Sequence, residues 1–305
     1  MERRQLEYFV AVARLGSLAV AARELRVTQP ALSQGIRQLE SHLGCELFHR
    51  VPRGMQLTAA GRALVEPAGH VLANLAVARA VIADVVGLKN GTIDVATLPG
   101  LVMEPLADWI RVFRATAPGV RVNLRQFDTS DEVIAAVRLG EAELGLTISV
   151  PPPSVSLVCR RVAAQELVAV LPAGTSVGED VSVEEIVGFG MVVGGEQLVA
   201  EILGFGAAAA SGGQLAVSDL VAHTEEATGR RIVAVDVERR ESALALILAG
   251  VGAGILPRAF GEVAAARGAA VRPLRPPIVR DVHLVWRDAP LTPTCRAFLK
   301  VIDVL

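Results

Sequence analysis

The fold is decided by residues 17–43, which read SLAVAARELRVTQPALSQGIRQLESHL. Apolar side chains recur there at helical spacing, at Leu18, Ala22 and Leu25 and then at Leu32, Ile36, Leu39 and Leu43. Spacings of three and four residues place each set on one helical face, so the stretch predicts two helices joined by a short turn. Thr28 is a favourable N-cap for the second helix, and Pro30 falls in its first turn, where a missing N–H is harmless.

The face of the second helix opposite its leucines is polar. We expect this face and the cap before it to contact DNA through Thr28, Gln29, Pro30, Ser33, Gln34 and Arg37. Gln and Arg side chains have the bidentate geometry that base edges in the major groove require. The alternative is that the two helices only pack a core, as most capped amphipathic pairs do.

Charge is divided unevenly along the chain. The net charge is −2, but residues 1–65 carry nine Arg and five Glu, which gives +4, and the remainder carries −6. A basic segment on an acidic body is the electrostatic footprint of a polyanion-binding head. All nine cations of the head are Arg, whose planar forks suit phosphate.

A hairpin is predicted after the helix pair. Leu47-Phe48 and Met55 to Leu57 can form two short strands with Arg53-Gly54 at the tip. Arg50 and Arg53 would make this hairpin a wing that grips the DNA backbone. The alternative is an ordinary surface hairpin.

A long helix is predicted over residues 58–88, capped by Thr58 and containing Pro67, which should leave one hydrogen bond unmade and a kink. Its apolar residues repeat at a and d positions of three heptads, and we call them the linker seam: Leu64, Ala68, Val71, Leu75, Ala78, Ile82 and Val85. Such a seam predicts pairing with the same helix of a second chain. Two heads related by a twofold axis would read an inverted repeat in double-stranded DNA.

From residue 92 onward, predicted strands and helices alternate, which indicates parallel sheets covered by helices. Cys45, Cys159 and Cys295 are far apart and have no metal-ligand spacing, so we expect a reduced cytoplasmic protein with no metal and no cofactor. The N-terminus leads directly into an amphipathic helix, which argues against a signal peptide. The longest apolar run, residues 243–257, is too short to span a membrane.

The head resembles the LysR-type transcriptional regulators. The matching residues are Leu6-Glu7-Tyr8-Phe9, Gly16-Ser17, Ala21-Ala22, Leu25, Thr28-Gln29-Pro30-Ala31-Leu32-Ser33, Ile36, Leu39-Glu40, Leu43-Gly44, Leu47-Phe48, Arg50, Arg53-Gly54 and Leu57-Thr58-Ala59-Ala60-Gly61. The body is similar more weakly, at Phe113-Arg114, Pro118-Gly119-Val120, Ala249-Gly250-Val251-Gly252, Leu256-Pro257 and Leu284-Val285-Trp286-Arg287. The resemblance covers most of the chain.

The resemblance implies a regulator built from an N-terminal winged helix-turn-helix, a long linker helix and two α/β subdomains resembling periplasmic binding proteins. The implied boundaries are 1–58 for the head, 59–90 for the linker, 91–162 plus 269–305 for subdomain I and 163–268 for subdomain II. Two crossing strands, near 166–171 and 271–274, would form the hinge. Family members bind a small effector between the subdomains, and their dimers commonly pair into tetramers.

The effector site follows from strand order as well, because open α/β sheets bind ligands beyond the carboxyl ends of their strands. Both arguments select Pro99, Gly100, Leu101, Thr129, Ser130, Thr147 and Ser149, to which Gly194 and Gly195 of the second subdomain are added. Backbone N–H groups at Gly100 and near Ser130, both at predicted helix N-termini, favour an anionic group such as a carboxylate. The alternative is that Ser130 is only an N-cap.

Two features depart from the family pattern. Gly35 lies in the middle of the DNA-reading helix, where it costs about 1 kcal/mol relative to Ala and removes a side chain that could touch DNA. Residues 194–214, which are rich in Gly and Ala, form a longer strand-to-helix connection than is usual in the family.

Other functions stay open at this stage. A solute-binding protein or an enzyme could share the two-subdomain fold, but no metal spacing or nucleophile–base pair is evident, and His223 and His283 are isolated. A redox switch at Cys159 or Cys295 is a third possibility.

Overall fold

The computed structural model describes residues 1–52, 54–85, 91–153, 155–194, 233–237 and 240–304. Several sequence-based expectations lie outside these residues. They concern Arg53, Gly195, His223, the Gly- and Ala-rich segment beyond Gly194 and the helix predicted over 217–229.

The predicted helix pair is confirmed in the head. Helices α1 (Arg3–Leu15), α2 (Leu18–Glu24) and α3 (Gln29–Leu43) pack around a shared apolar core. Thr28 caps α3, since its hydroxyl accepts a hydrogen bond from the backbone N–H of Ala31 at 3.4 Å. Leu43 does not belong to the buried face, because it is 39% exposed at the end of α3.

The hairpin consists of β1 (Phe48–Val51) and β2 (Gly54–Leu57), which are antiparallel and slightly longer than predicted. Val51 pairs with Gly54, so Gly54 belongs to β2 rather than to the tip of the hairpin. The hairpin is fixed to the end of α1, where the N–H of Met55 donates to the carbonyl of Gly16 at 2.8 Å. A side chain at Gly54 would collide with that same carbonyl, which explains the glycine.

Helix α4 (Ala59–Val85) follows, with Thr58 as its cap and Pro67 in its interior. The kink expected at Pro67 stays a prediction. The start of the linker seam packs into the core of the head, where Ala68 is 1% exposed. Farther along α4, Val71, Leu75 and Ile82 are 46%, 39% and 66% exposed. One face of the helix therefore carries apolar side chains that nothing in the described part of this chain covers.

The body contains eight strands among the described residues. They are β3 (Thr92–Thr97), β4 (Arg121–Gln126), β5 (Leu144–Thr147), β6 (Leu157–Leu171), β7 (Met191–Gly194), β8 (Val233–Val237), β9 (Gly254–Pro257) and β10 (Ala270–Arg287). Six of them form one sheet in the order β4-β3-β5-β10-β6-β9, and β7 pairs with β8 in a second sheet. Only β4, β3 and β5 are parallel within the larger sheet. The expectation of parallel sheets is therefore wrong for the other half of this six-stranded sheet, where β10 runs antiparallel to β5 and β6.

The crossing strands are longer than predicted. The sequence pattern predicts four shorter strands at 155–162, 166–171, 271–274 and 282–287, but β6 and β10 pair from Ala270 opposite Leu171 to Arg287 opposite Leu157. Gln165 does not break β6, because it pairs with Arg280 of β10 and its buried side-chain amide donates to the carbonyl of Gly100. The prolines produce only a register irregularity between Pro273 and Ile278. The two strands connect the apolar cores of the body, since Leu284 lies in one core and Leu167 in another.

The helices of the body cover these sheets. They are α5 (Pro99–Leu101), α6 (Ala107–Thr116), α7 (Ser130–Arg138), α8 (Val183–Val187), α9 (Arg240–Leu248), α10 (Arg258–Ala265) and α11 (Pro293–Val304). The spacing of Leu106, Ile110 and Phe113 predicts a single helix over 101–115. That prediction is wrong, since a π-helical turn (Val102–Leu106) separates α5 from α6 and Glu104 is extended. Pro105 accounts for this, because proline disfavours a helical residue before it and lacks an N–H. Among the described residues, no helix has the length and apolar character needed to cross a bilayer.

Candidate DNA-binding face and effector cleft

The polar face of α3 points away from the core of the head. Leu32, Ile36 and Leu39 are buried beneath it. Gln29, Pro30, Gln34 and Arg37 are exposed on it, Thr28 is exposed just before it, and Ser33 is partly covered. A helix fixed by its apolar side and free on its polar side has the geometry needed to enter a major groove.

Three further residues extend this face toward the end of α3. Gln38, Ser41 and His42 line a shallow groove together with Gln34 and Arg37. None of the three was predicted from the sequence. Helical spacing contained the signal, since Ser41 lies seven residues after Gln34 and four after Arg37.

Gly35 is buried and does not belong to the DNA-facing side, so the expectation that it removes a DNA contact is wrong. A Cβ at this position would come within 2.6 Å of Cδ2 of Tyr8 in α1. Real Cβ atoms almost never approach so closely. Gly35 therefore permits the close approach of α3 to α1.

The hairpin of the head carries one arginine of the predicted wing among the described residues. Arg50 is exposed on β1, opposite Met55. The carboxylate of Glu40 in α3 accepts a hydrogen bond from the N–H of Leu47 at 2.8 Å and so fixes the hairpin relative to α3. An arginine held in this way could contact phosphate while α3 lies in the groove.

Three of the segments selected for the effector follow neighbouring strands. Residues 99–101, 129–130 and 147–149 follow β3, β4 and β5, which are adjacent and parallel. The carboxyl ends of such strands meet at one edge of the sheet, so the fold brings these segments together. Gly194 lies at the end of β7 in the other sheet, where it pairs with Val237.

The N-terminus of α7 differs from the expectation at Ser130. The cap is Thr129, whose hydroxyl accepts from the N–H of Glu132 at 3.2 Å while the Glu132 carboxylate accepts from the N–H of Thr129 at 3.1 Å. Ser130 is 1% exposed, and its hydroxyl has no hydrogen-bond partner among the described residues. The interpretation of Ser130 as the N-cap is therefore wrong. A buried hydroxyl without a partner is costly unless a ligand or water satisfies it.

Two other side chains selected for the effector site, Leu101 and Thr147, are buried. Leu101 is 1% exposed and packs in the core that includes Phe113. Its N–H donates to the carbonyl of Leu98 at 3.0 Å, so neither the side chain nor the N–H of Leu101 is available to a ligand. Thr147 is fully buried, and its hydroxyl accepts from the N–H of Ser149 at 3.2 Å.

A buried glutamine that was not predicted from the sequence connects the crossing strands to this edge. Gln165 of β6 is 2% exposed, and its amide donates to the carbonyl of Gly100 at 3.1 Å. Its carbonyl oxygen accepts from the guanidinium of Arg280 on β10 at 2.7 Å. A single glutamine inside an apolar strand was the available signal, because buried amides are almost always hydrogen-bonded.

The neighbouring residue makes an ion pair on the surface. Arg258 of α10 contacts both carboxylate oxygens of Glu166, at 2.6 and 2.9 Å. The hydrogen bond from Arg258 lowers the pKa of the Glu166 carboxyl. This bidentate pair joins the start of α10 to the crossing strand β6.

The surroundings of Cys159 and Cys295 argue against a redox switch at either thiol. Burial raises the pKa of the Cys159 thiol, and it raises the pKa of the Cys295 thiol far above its usual range. A thiol must ionise to react, so both are weak nucleophiles. Within the described part of the chain, no group of three or more His, Cys, Asp or Glu side chains could hold a metal ion.

Comparison with known proteins gives consistent results for both halves of the chain. A family model described as a bacterial regulatory helix-turn-helix protein, lysR family, matches residues 3–62, and the LysR substrate binding domain matches residues 87–304. The HTH-type transcriptional regulator IlvR of Caulobacter vibrioides is 30% identical over 310 residues, which cover 99% of this chain and 97% of that protein.

Solved structures agree. The crystal structure of CbnR, a LysR family transcriptional regulator, has a TM-score of 0.61 and 25% identity, and the alignment covers 100% of this chain and 99% of that chain. Full-length CbnR complexed with its target DNA has a TM-score of 0.59 at 25% identity and the same coverage.

Proposed function

Because the chain belongs to the LysR family of bacterial transcriptional regulators, we propose that its paired α3 helices read an inverted-repeat operator while its body binds a small anionic effector. The chain is a DNA-binding regulator and not an enzyme, and its family binds DNA and effectors and forms oligomers. The observation that carries the proposal is the exposed polar face of α3 over a buried leucine face.

Base reading and phosphate contact can be separated in one experiment. The full chain selects duplexes from a random pool, and binding to the selected duplex is measured by anisotropy across a salt series. Arg50→Ala should weaken binding to all duplexes and lower the salt slope by about 0.9 for each phosphate that is no longer neutralised. Gln29→Ala should instead relax the preferred sequence, because Gln29 lies on the face that meets base edges.

The control for this experiment is Arg111→Ala, which removes an exposed arginine of α6, in the body. The proposed roles of Arg50 and Gln29 fail if the salt slope and the selected sequence are unchanged. Arg53, the other proposed wing residue, is tested in the same salt series.

A carboxylate is the proposed effector group, and α7 is the element that supports it. The N-terminus of a nine-residue helix favours negative charge, and the hydroxyl of Ser130 is buried there without a partner among the described residues. The helix α5 is a single turn and adds little. The remaining proposed contacts are Pro99, Gly100, Leu101, Thr129, Thr147, Ser149, Gly194 and Gly195, with Leu101 and Thr147 limited to supporting roles by their burial.

Thermal unfolding in the presence of small mono- and dicarboxylates tests this site. We expect at least one carboxylate to raise the melting temperature while its uncharged amide does not, and Ser130→Ala to abolish the difference. Equal responses to acids and amides would exclude an anion site. Thr116→Ala, which removes a hydroxyl at the end of α6, is the matched control.

Assembly and boundaries complete the proposal. We infer that the linker seam joins two chains, because its exposed residues need a partner of the same shape. The same proposal includes the pairing of dimers into a tetramer and a cytoplasmic location. It also includes the domain boundaries, which are 1–58, 59–90, 91–162 plus 269–305, and 163–268. The apolar cores support these boundaries, since one includes Ile93, Phe113 and Phe298 and another includes Leu167 and Ile186.

A further inference from the structure

The linker helix contacts the body of its own chain at the end of α7. Arg138, the last residue of α7, forms an ion pair with Glu66 of α4 at 3.0 Å. One helical turn farther along α4, the Nε2 atom of His70 lies 3.0 Å from the backbone carbonyl of Arg138. Both bonds connect residues about seventy positions apart, so they depend on the tertiary arrangement of α4 against subdomain I.

Two glycines allow the backbone of α4 to approach the backbone of the turn after α7, close to the bonds that Glu66 and His70 make with Arg138. A Cβ at Gly69 of α4 would overlap the carbonyl of Leu139. A Cβ at Gly140, which has a φ of +74°, would lie 2.9 Å from the carbonyl of Gly69 and 3.1 Å from the Cβ of Ala73. We call this surface the linker contact. It consists of Glu66, Gly69, His70 and Ala73 of α4 against residues 138–141.

The head touches the same turn directly. Glu141 lies between two arginines, with Arg125 of β4 at 2.8 Å and Arg14 of α1 at 3.5 Å. Arg14 also pairs with Glu24 of α2, so the helices of the head are joined to the turn after α7. The turn at 138–141 is thus contacted by both the linker and the head.

The linker contact is compatible with dimerisation. Glu66, Gly69, His70 and Ala73 recur at three- and four-residue spacing and form one stripe of α4. At 100° per residue, the exposed seam residues Val71, Leu75 and Ile82 lie on the opposite side of the helix. A second chain can therefore cover the seam without displacing subdomain I. The contact is polar and partly exposed, as a reversible contact requires.

We propose that α7 couples the effector cleft to the DNA-binding head through the linker contact. Its N-terminus, with the buried hydroxyl of Ser130, lies at the proposed effector site, and its C-terminus lies on α4. A ligand that shifts α7 along its axis changes the linker contact at the other end. This inference rests on the proposed function, because it requires that the head binds DNA and the cleft binds a ligand.

Cross-linking tests whether the linker contact exists in the free protein. The full chain with Ala73→Cys and Gly140→Cys places two Cβ atoms close to disulfide range, so mild oxidation should join them within one chain. The matched control is Ala78→Cys with Gly140→Cys, because Ala78 lies on the seam side of the same helix. Peptide mapping identifies the bond. Equal yields in the two variants would overturn the docked arrangement.

Hydrogen exchange tests the coupling, with the selected duplex as the probe. Coupling between two sites is reciprocal, so duplex binding should change amide exchange in α7 of the wild-type protein. Glu66→Arg should abolish that change and alter duplex affinity by about fivefold or more. Glu66→Arg with Arg138→Glu restores the ion pair in the opposite sense and should restore the change. The control is Asp108→Arg, which disrupts an exposed ion pair of α6.

The outcomes separate the two proposals. A chain that selects no duplex overturns the proposed function and this inference with it. A chain that selects a duplex, but whose α7 exchange is unaffected by DNA or is equally affected in Glu66→Arg, overturns the inference alone.

Discussion

Gly35 and Tyr8 show how one residue pair sets the position of the DNA-binding helix. Sequence alone identifies the cost of a mid-helix glycine, because that cost is local and intrinsic. It does not identify the compensation, because Tyr8 lies on another helix and its ring occupies the space of the missing side chain. The glycine is therefore explained by packing between α1 and α3 and not by DNA.

Gly35→Ala should destabilise the head despite the better helix propensity of alanine. The gain is about 1 kcal/mol, whereas forcing a methyl group against a buried ring costs about 1–3 kcal/mol. Hydrogen exchange of the α3 amides in the full chain measures the net effect. In a Tyr8→Ala background the same substitution should become stabilising, and an equal destabilisation in both backgrounds would contradict the explanation.

Glu143 is a second residue whose environment sets its behaviour. Burial raises the pKa of its carboxyl, and the hydrogen bonds from the N–H and hydroxyl of Thr292, at 3.1 and 2.9 Å, oppose that rise only in part. A carboxyl whose pKa is higher in the folded state binds its proton more tightly there. Unfolding therefore becomes easier as pH rises through the interval above 4.5, the ordinary value.

Glu143→Gln should remove this part of the pH dependence. Compared with the wild type, the free energy of unfolding of the variant should improve as pH rises from 4.5 through the raised pKa, and the difference should then stay constant. Urea unfolding followed by the fluorescence of Trp109 and Trp286 measures both proteins. Asp108→Asn, an exposed carboxylate, serves as control. Parallel curves for Glu143→Gln and wild type would show that Glu143 does not titrate in this interval.

At the scale of single elements, α4 has three different faces. The heptad spacing predicted the helix and its seam from sequence, because side-chain period is a local property. It did not show that Leu64 and Ala68 are used by the head, or that Glu66 and His70 face subdomain I. Those assignments depend on which neighbour reaches each face, and a single helix pattern does not contain that information.

Ile82→Glu should weaken the proposed dimer. Burial of an isoleucine side chain contributes about 1.5–3 kcal/mol, so its removal from both chains raises the dissociation constant by about 100-fold or more. Sedimentation of the full chain over a concentration series measures this. Ala76→Glu, which adds the same charge at an exposed position off the seam, should have a small effect. Equal weakening by both variants would place the interface elsewhere.

At the scale of the whole molecule, the body is organised by β6 and β10. The alternation of strands and helices was predictable, and so was the common edge at 99–101, 129–130 and 147–149, because right-handed crossovers keep consecutive strands parallel. The antiparallel pairing of β6 and β10 along their whole length was not predictable. It joins residues from 99 positions apart, at Leu171 and Ala270, to 130 positions apart, at Leu157 and Arg287, and no local period encodes that pairing.

Gln165 connects the pairing of β6 and β10 to the edge of the candidate cleft. Its removal should therefore destabilise both the fold of the body and that edge. Gln165→Leu removes the bond to the buried carbonyl of Gly100, which costs about 1–3 kcal/mol, and also the bond from Arg280. We expect a lower melting temperature and faster hydrogen exchange in residues 98–104. Gln126→Leu, at an exposed position of β4, should do neither. If residues 98–104 exchange at the wild-type rate in Gln165→Leu, the crossing strands do not hold the edge of the cleft.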